Sequence, residues 1–557
     1  MSKILKVIET LQKSGLRGVT NKFNERKSLR KQAETYENWV NKFDTLSEKD
    51  RQTIKQKSDN LPSKPLISIV LPVYNVDEKW LRLCIESVFK QIYPNWELCI
   101  ADDCSPKPHI RKVLEEFTAK DSRIKIIFRT ENGHISAASN SALNLAKGEF
   151  TALLDHDDEL SEHALFFVAN EINKFPEAQM IYSDEDMVDE NGNRYQPKFK
   201  PDFSLDLLYS LNLVTHLAVY RTDVLRKIGG FRVGLEGSQD YDLALRFIEQ
   251  IPKKNIRHIP HILYHWRAIL GSVALSADQK SYAHSRARQA IKKYLQSKNI
   301  SAEVVEGFES WHRVIYDLPK ETFISIISTE NVTANHTNIE FIQVGNISAK
   351  SLNVAAQKAK GDVLIFVENS IKPFSNDWMT ELASFATQTE IGAVGGKIFF
   401  PDKKIRHNGI IGGIDESVGF AFRNLSRNDF SGLGRTQVIN NFSAVSGVLA
   451  VRRELFNGLQ GFDEINFDKG LFDIDFCWRL REKGSRIVFT PYAEFVQTLD
   501  STAEKILQNK DSAEINIFKS KWQKFIENDE FYNPNLSLEN GGFSVAIPPR
   551  FLKPWED

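Results

Sequence analysis

From residue 66 onwards, apolar runs and amphipathic stretches alternate along this chain. Leu66-Ile-Ser-Ile-Val-Leu71 is a nearly continuous β-branched run closed by Pro72-Val-Tyr-Asn75, the pattern of a strand buried on both faces. A helical stretch from Trp80 to Gln91 follows, then strand patterns over 96–101 and 124–128. Good helix formers fill 137–146, and a short apolar run covers 150–154. Strands and helices alternating at this length predict a right-handed, doubly wound parallel α/β sheet. Polar clusters fall at successive strand ends, first Asp102-Asp103-Cys104-Ser105 and then Asp155-His156-Asp157-Asp158, so they converge on one edge of that sheet.

The alternation restarts further on. Phe323-Ile-Ser-Ile-Ile327 echoes Leu66 to Val70, and Asn353 to Gly361 echoes Asn140 to Gly148. Asp362-Val-Leu-Ile-Phe-Val-Glu-Asn-Ser370 stands where Glu149 to Asp158 stood. This is an internal repeat at domain scale. It divides the chain into an arm and linker (1–64), a first α/β domain (65–315), a second (316–510) and a tail (511–557). The second copy has one carboxylate, Glu368, where the first has three. It covers the distance from first strand to Asn353 in about 30 residues, against about 70 in the first copy. The tail opens with a helical pattern carrying Phe518, Trp522 and Phe525, then turns irregular around Pro548, Pro549 and Pro554. In the arm, Ile4, Leu5, Ile8 and Leu11 recur at helical spacing among many lysines and arginines, and Tyr36 and Trp39 are its anchors. Such a helix can lie on an anionic membrane surface or pack its apolar stripe on the main body.

Composition changes this picture little. At 557 residues the chain exceeds a single hydrophobic core. Lys and Arg total 72 against 73 Asp and Glu, which argues against a nucleic-acid binder. No run approaches the roughly 20 apolar residues of a membrane helix. The four cysteines lack metal-binding spacing, so a reduced, cytoplasmic protein is expected.

The chemistry concentrates in three places. Asp155, Asp157 and Asp158 end a buried strand; crowded hard oxygens suit Mg²⁺ or Mn²⁺ held with a substrate's phosphates, although a solvated acidic turn would look the same in isolation. Asp240 and Asp242 open a helix over 241–249, where the dipole alone favours negative charge. His265, in an otherwise apolar strand, is either a satisfied core histidine or a late metal ligand.

Seven motifs carry a resemblance: Pro72-Val-Tyr74-Asn75, Asp102-Asp103-Cys-Ser105, Asn132-Gly133, Asn140 with Ala146-Lys-Gly148, Leu154-Asp-His-Asp-Asp158, Gly237-Ser-Gln-Asp240 and His265-Trp-Arg267. In this order, from Leu66 to about residue 300, they resemble the nucleotide-sugar-dependent glycosyltransferases of family 2, with the GT-A fold. The likeness is strongest to bacterial enzymes of O-antigen and capsule polysaccharide assembly, often described as rhamnosyltransferases. The resemblance implies an inverting, metal-assisted transfer from a dTDP- or UDP-sugar to a glycan or lipid-linked acceptor, at the cytoplasmic face of the membrane. It implies Asp240 as general base, and Asp157 as leading ligand of Mn²⁺ or Mg²⁺, with Asp155 on the metal or the ribose and His265 completing the set. Pro72, Tyr74, Asn75 and Asp103 would hold pyrimidine and ribose. Asn132, Gly133 and Ser136 would close over the nucleotide, and Arg267 would contact the diphosphate.

For the second copy the resemblance implies lost chemistry, with Gln497 in the place of the family's late histidine and Asp473 and Asp475 as remaining base candidates. A GT-A-like domain kept for acceptor binding or scaffolding is expected there, with a second active transferase as the alternative. For the whole chain, a non-catalytic glycan-binding scaffold is the other class left open. A nucleotidyltransferase would carry a Gly-rich phosphate loop after the first strand, and Pro72-Val-Tyr-Asn75 is not one.

Overall fold

The computed structural model describes residues 35–269, 277–332, 336–429, 431–509, 512–539 and 541–556. The basic stretch of the arm with Ile4, Leu5, Ile8 and Leu11, on which membrane contact was expected to rest, lies outside the described residues. Among the described residues, no helix is long and apolar enough to cross a membrane.

Nine strands make the first sheet: β1 (Ile67–Val73), β2 (Trp96–Asp102), β3 (Ile124–Phe128), β4 (Phe150–Leu153), β5 (Glu159–Leu160), β6 (Met180–Val188), β7 (Arg194–Lys198), β8 (Ala218–Arg221) and β9 (Ile256–Arg267). Their order is β3-β2-β1-β4-β8-β6-β9-β5, with β7 pairing on β6. Strands β1 to β4 are parallel, as the alternation predicts. The wholly parallel sheet is not what forms, however. β8 runs antiparallel to both β4 and β6, β5 runs antiparallel to β9, and β7 to β6. The reason lies in the connections. After β6 the chain turns back through the β7 hairpin and the helix Leu205–Ser210, and so enters β8 from the edge at which β4 ends. Four residues, Ala-Val-Tyr-Arg, are too short a run to announce a strand by periodicity.

Glycine is required where β4 begins. A Cβ on Gly148 would sit 2.4 Å from the Leu66 carbonyl oxygen and 2.8 Å from the Ser68 amide, so β1 and the β4 entry can approach only without a side chain. Ser68 Oγ accepts from the Gly148 amide at 2.8 Å and donates to Glu97 at 2.6 Å, tying β1, β2 and β4 at their buried ends.

After a hairpin of β10 (Ala302–Glu306) and β11 (His312–Tyr316), a second sheet forms from β12 (Ile324–Ser328), β13 (Ile339–Gln343), β14 (Val363–Val367), β15 (Ile371–Pro373), β16 (Ile391–Phe399) and β17 (Ile405–His407). A small pair, β18 (Ile410–Gly412) and β19 (Val418–Phe420), stands apart; β20 (Asn440–Asn441), β21 (Val448–Arg452) and β22 (Arg486–Gln497) complete the sheet. The order β13-β12-β14-β21-β16-β22-β15 repeats the path of the first sheet, with the same parallel and antiparallel neighbours, except that among the described residues no counterpart of β3 follows β13 and β20 adds a pairing on β22. That missing edge is the shortening legible in the sequence.

The repeat extends to side chains. Asn140 closes on both backbone groups of Phe231 at 2.8 Å, and Asn353 does the same to Phe462 at 2.9 Å. Arg246 bridges Asp242 and the Gly230 carbonyl at 2.7 Å each, and Arg479 bridges Asp475 and the Gly461 carbonyl at 2.8 Å each. Asp475, a base candidate from sequence, is therefore a structural carboxylate, also held by Trp522 Nε1 at 2.9 Å and Lys521 Nζ at 2.7 Å.

Arm and tail fold back on the first domain. Tyr36 and Trp39 are buried; the Tyr36 hydroxyl donates to Asp186 at 2.6 Å and Trp39 Nε1 to the Ala546 carbonyl at 3.2 Å. Irregular as it is, the tail is well anchored. Asn533 Nδ2 donates to buried Asp184 at 2.8 Å, and Trp555 Nε1 to Asp50 at 2.9 Å. The two domains share one apolar core in which Leu207, Leu208 and Tyr209 of the first meet Val438, Ile439 and Val488 of the second.

Candidate active site

β4 ends in the turn Asp155–Asp158, which the neighbouring strand β9 holds in shape. The buried Asp158 carboxylate accepts from the Tyr264 hydroxyl at 2.6 Å and from the Arg267 amide at 2.7 Å, while Arg267 Nε donates to the Asp157 carbonyl at 2.9 Å. His216, just before β8, lays its ring on that of Tyr264 with centroids 4.2 Å apart and planes 8° off parallel. Asp155, Asp158 and His216 each bring one ligand atom, all within 4.8 Å of one another. Among the described residues this is the one group of three or more His, Cys, Asp or Glu side chains placed to hold a metal ion.

The electrostatics of the turn are those of crowded acids. Burial, then the charge of Asp157, pushes Asp155 up to about 7. Burial and the same neighbours push Asp158 well above the usual carboxylate range. His216 is driven down to about 4 by burial, so it is neutral and able to donate a lone pair. Two carboxylates and a neutral imidazole form a donor set that suits a hard or borderline divalent cation, and such a cation would relieve the repulsion between the acids.

Asp157 and His265, expected among the ligands, are not part of this group. Asp157 lies 3.2 Å from His156 Nδ1; burial raises its pKa, but that hydrogen bond and charge outweigh it and hold the carboxylate below its ordinary value. His265 is on the other face of β9. Its Nδ1 sits 2.6 Å from Asp186 and its Nε2 3.0 Å from Ser161 Oγ, so both ring nitrogens have protein partners. Arg267, expected on a diphosphate, is 2% exposed and spends its guanidinium on the Asp157 and Asp189 carbonyls, on Glu159 and over the Trp80 ring. It shapes the turn from behind.

Asp240 opens the helix Gln239–Ile248 and faces the same hollow. A pocket with about 420 Å³ of free volume is lined by Asp155, His216, Asp240, Tyr264, Gln239 and Pro72 among others. Asn212 Nδ2 donates to Asp240 Oδ2 at 2.8 Å, and burial raises the carboxyl above its usual pKa. Next to this pocket, past the ends of β1 and β2, lie the remaining predicted residues. Asp103 accepts from Arg129 Nε at 2.7 Å and from the Gly133 amide at 3.0 Å, and Asn132 Nδ2 donates to the Asp103 carbonyl at 3.3 Å. The Asn75 amide donates to Ser105 Oγ at 3.0 Å. Buried Asn75 Oδ1 and Ser136 Oγ have no partner in the fold, while Tyr74 is 45% exposed.

Sequence reasoning missed His216, Asn212 and Tyr264. His216 had one legible signal, a histidine in an apolar stretch next to Thr215. Asn212 and Tyr264 act only through geometry that no spacing reveals. In the second copy, strand register puts Glu368, Ile371 and Gly447 where Asp155, Asp158 and His216 stand, since Val363 pairs with Arg452 as Phe150 pairs with Arg221. The matching pocket has about 290 Å³ of free volume and mostly apolar walls, among them Leu352, Phe366 and Phe472. By the same logic Val496, not Gln497, occupies the register position of His265, because Lys372 pairs with Val496 as Glu159 pairs with His265.

Residues 68–229 match the family model described as glycosyl transferase family 2. A Sinorhizobium fredii (strain NBRC 101917 / NGR234) protein, uncharacterized protein y4gI, is 35% identical over 541 residues, covering 88% of this chain and 59% of that protein. The O-antigen biosynthesis protein RfbC of Myxococcus xanthus is 30% identical over 524 residues, covering 86% of this chain and 41% of that one. The putative colanic acid biosynthesis glycosyl transferase WcaA of Escherichia coli (strain K12) is 32% identical over 195 residues, covering 34% of this chain and 68% of that protein. The chain thus spans 59% and 41% of the lengths of the first two relatives.

Proposed function

Because this chain belongs to glycosyl transferase family 2, we propose that its first domain transfers a sugar from a nucleoside-diphosphate donor to an acceptor hydroxyl with inversion, using Asp240 as the base. The observation that carries this reading is the shared pocket, in which a carboxylate with a raised pKa faces the acidic turn at the end of β4. The acceptor hydroxyl gives its proton to Asp240 as its oxygen attacks the anomeric carbon, and the nucleoside diphosphate leaves with the bonding pair on the opposite face. Asn212 fixes the carboxylate's orientation, and the semi-enclosed pocket limits competing attack by water. Asp155, Asp158 and His216 would hold a divalent cation, Mn²⁺ or Mg²⁺, whose chemistry is to neutralise charge on the departing diphosphate. Pro72, Tyr74, Asn75 and Asp103 would take the pyrimidine nucleoside of a UDP- or dTDP-sugar. Asn132 and Gly133, with Ser136 in the first turn of the helix His134–Leu145, would border it, the unpartnered Asn75 Oδ1 and Ser136 Oγ serving as hydrogen-bonding groups. The reading takes a glycan or lipid-linked acceptor at the inner face of the membrane; the names of relatives, an O-antigen and a putative colanic acid biosynthesis protein, support its polysaccharide part. The second domain, with Glu368, Ile371 and Gly447 at the ligand positions, is the non-catalytic copy.

Calorimetric titration of UDP and of dTDP, each with and without Mn²⁺, tests the reading. Metal-dependent binding of either nucleotide is expected, and its absence with both would overturn it.

A further inference from the structure

The non-catalytic copy grips the part of the first domain that carries Asn212, the side chain holding Asp240. The six-residue helix Leu205–Ser210 lies between the two domains. Its Asp206 carboxylate, 1% exposed, accepts from Arg486 Nε and from Asn441 Nδ2, both at 2.8 Å and both on the second domain. At its start, Ser204 Oγ donates to Asn441 Oδ1 at 2.7 Å; at its end, Ser210 Oγ donates to the Ile439 carbonyl at 2.8 Å. Three of these hydrogen bonds are buried and the one from Arg486 is partly so, and together they fix both ends of the helix. Two residues after it comes Asn212, 2.8 Å from Asp240 Oδ2. A second link runs directly to the helix that Asp240 opens, since the Tyr241 hydroxyl donates to the Leu208 carbonyl.

We infer that the second domain is a positioning element of the first domain's active site: Arg486 and Asn441 set the helix Leu205–Ser210, which sets Asn212 and so the reach of Asp240. This rests on the reading of Asp240 as the base. An ion pair with a buried carboxylate and a partly buried arginine is a costly way to hold two domains that already share an apolar core, but its fixed geometry orients what it holds. Displacing a catalytic group by about 1 Å through a remote substitution can cost on the order of a hundredfold in rate.

The test uses the full-length chain. Nucleoside-diphosphate release is followed from a panel of UDP- and dTDP-sugars, and Mn²⁺-dependent UDP or dTDP affinity is measured alongside. Arg486→Gln and Asn441→Ser are expected to lower kcat roughly tenfold or more while donor KM and nucleotide affinity stay within about twofold, because the nucleotide side of the pocket is untouched. Arg486→Lys should restore most of kcat. Combining Arg486→Gln with Asn212→Ala should lower the rate no further than Asn212→Ala alone, since both act through one contact. Should Arg486→Gln lack a cooperative melting transition, Asn441→Ser and Ser210→Ala carry the same comparisons. Wild-type kcat in the folded variants, losses that multiply with Asn212→Ala, or an effect confined to KM would each overturn the inference. Asp240→Asn separates the two readings: a dead Asp240→Asn beside fully active Arg486 and Asn441 variants defeats only the positioning role, whereas an active Asp240→Asn defeats the base assignment itself.

Discussion

Asp240→Asn removes one proton acceptor and little else. The amide has the carboxylate's shape, and its oxygen can still accept from Asn212 Nδ2, so the helix Gln239–Ile248 keeps its start. A general base contributes roughly 10²- to 10⁴-fold in rate, or about 3–5 kcal/mol of barrier. Ground-state terms move the other way. Burial raises the Asp240 pKa, which means the ionised form is disfavoured where it sits, and its charge also helps to push Asp155 up. Replacing it with a neutral side chain should therefore leave the melting temperature unchanged or higher, and should not weaken binding of Mn²⁺ with nucleotide. The assay is single-turnover transfer or nucleoside-diphosphate release, with calorimetric nucleotide binding and a thermal melt on the same preparation. A variant retaining more than roughly a hundredth of the wild-type rate would refute the base assignment. So would a loss of rate matched by an equal loss of nucleotide affinity, since the residue would then be a binding group.

Other outcomes follow from the same geometry. His216→Ala should weaken Mn²⁺-dependent nucleotide binding about tenfold or more, while His265→Ala should chiefly lower stability, because His265 engages Asp186 and Ser161; calorimetry and melting of the two variants distinguish these roles. Glu368 is pushed up to about 7 by burial and then by Asp473. Its contribution to stability is fully present below about pH 4.5 and is lost as pH rises through 7, so Glu368→Gln should exceed wild type by about 3 kcal/mol at pH 8, with the gap closing by pH 4.5 in denaturant titrations. Trp39→Ala should cost about 3–5 kcal/mol. With Ala546 deprived of its indole donor, limited proteolysis should then cut within the tail earlier than in wild type.

Much of this architecture is legible in the chain, and the failures have physical causes. β1, β2, β3 and β4 are buried parallel strands, whose apolar runs speak for themselves, and the repeat shows in Asn140 to Gly148 and Asn353 to Gly361 because both copies need the same glycine against the first strand. β8 went unseen because four residues carry no period, and without it the sheet reads as parallel. The acidic turn and Asp240 could be picked out, since carboxylates at a strand end and at a helix start are local patterns. Which of them come together depends on which face of β9 each side chain takes, and no spacing shows that His216 rather than His265 lies beside Asp155 and Asp158. Arg267 looked like a phosphate ligand because an arginine's partners, here two backbone carbonyls, lie far away in sequence.

The paired hydrogen bonds of the two copies turn this chain into its own comparison set. The asparagine clip of Asn140 and Asn353 and the Asp242–Arg246 and Asp475–Arg479 bridges are what folding such a sheet demands, because the second copy keeps them although its positions matching Asp155, Asp158 and His216 read Glu, Ile and Gly. Whatever only the first copy holds is free of that demand. Subtracting one half from the other leaves the proposed cation ligands Asp155, Asp158 and His216, whereas Asp240 has a counterpart in Asp473 and so depends on those ligands, not on its own presence, to be set to chemical work.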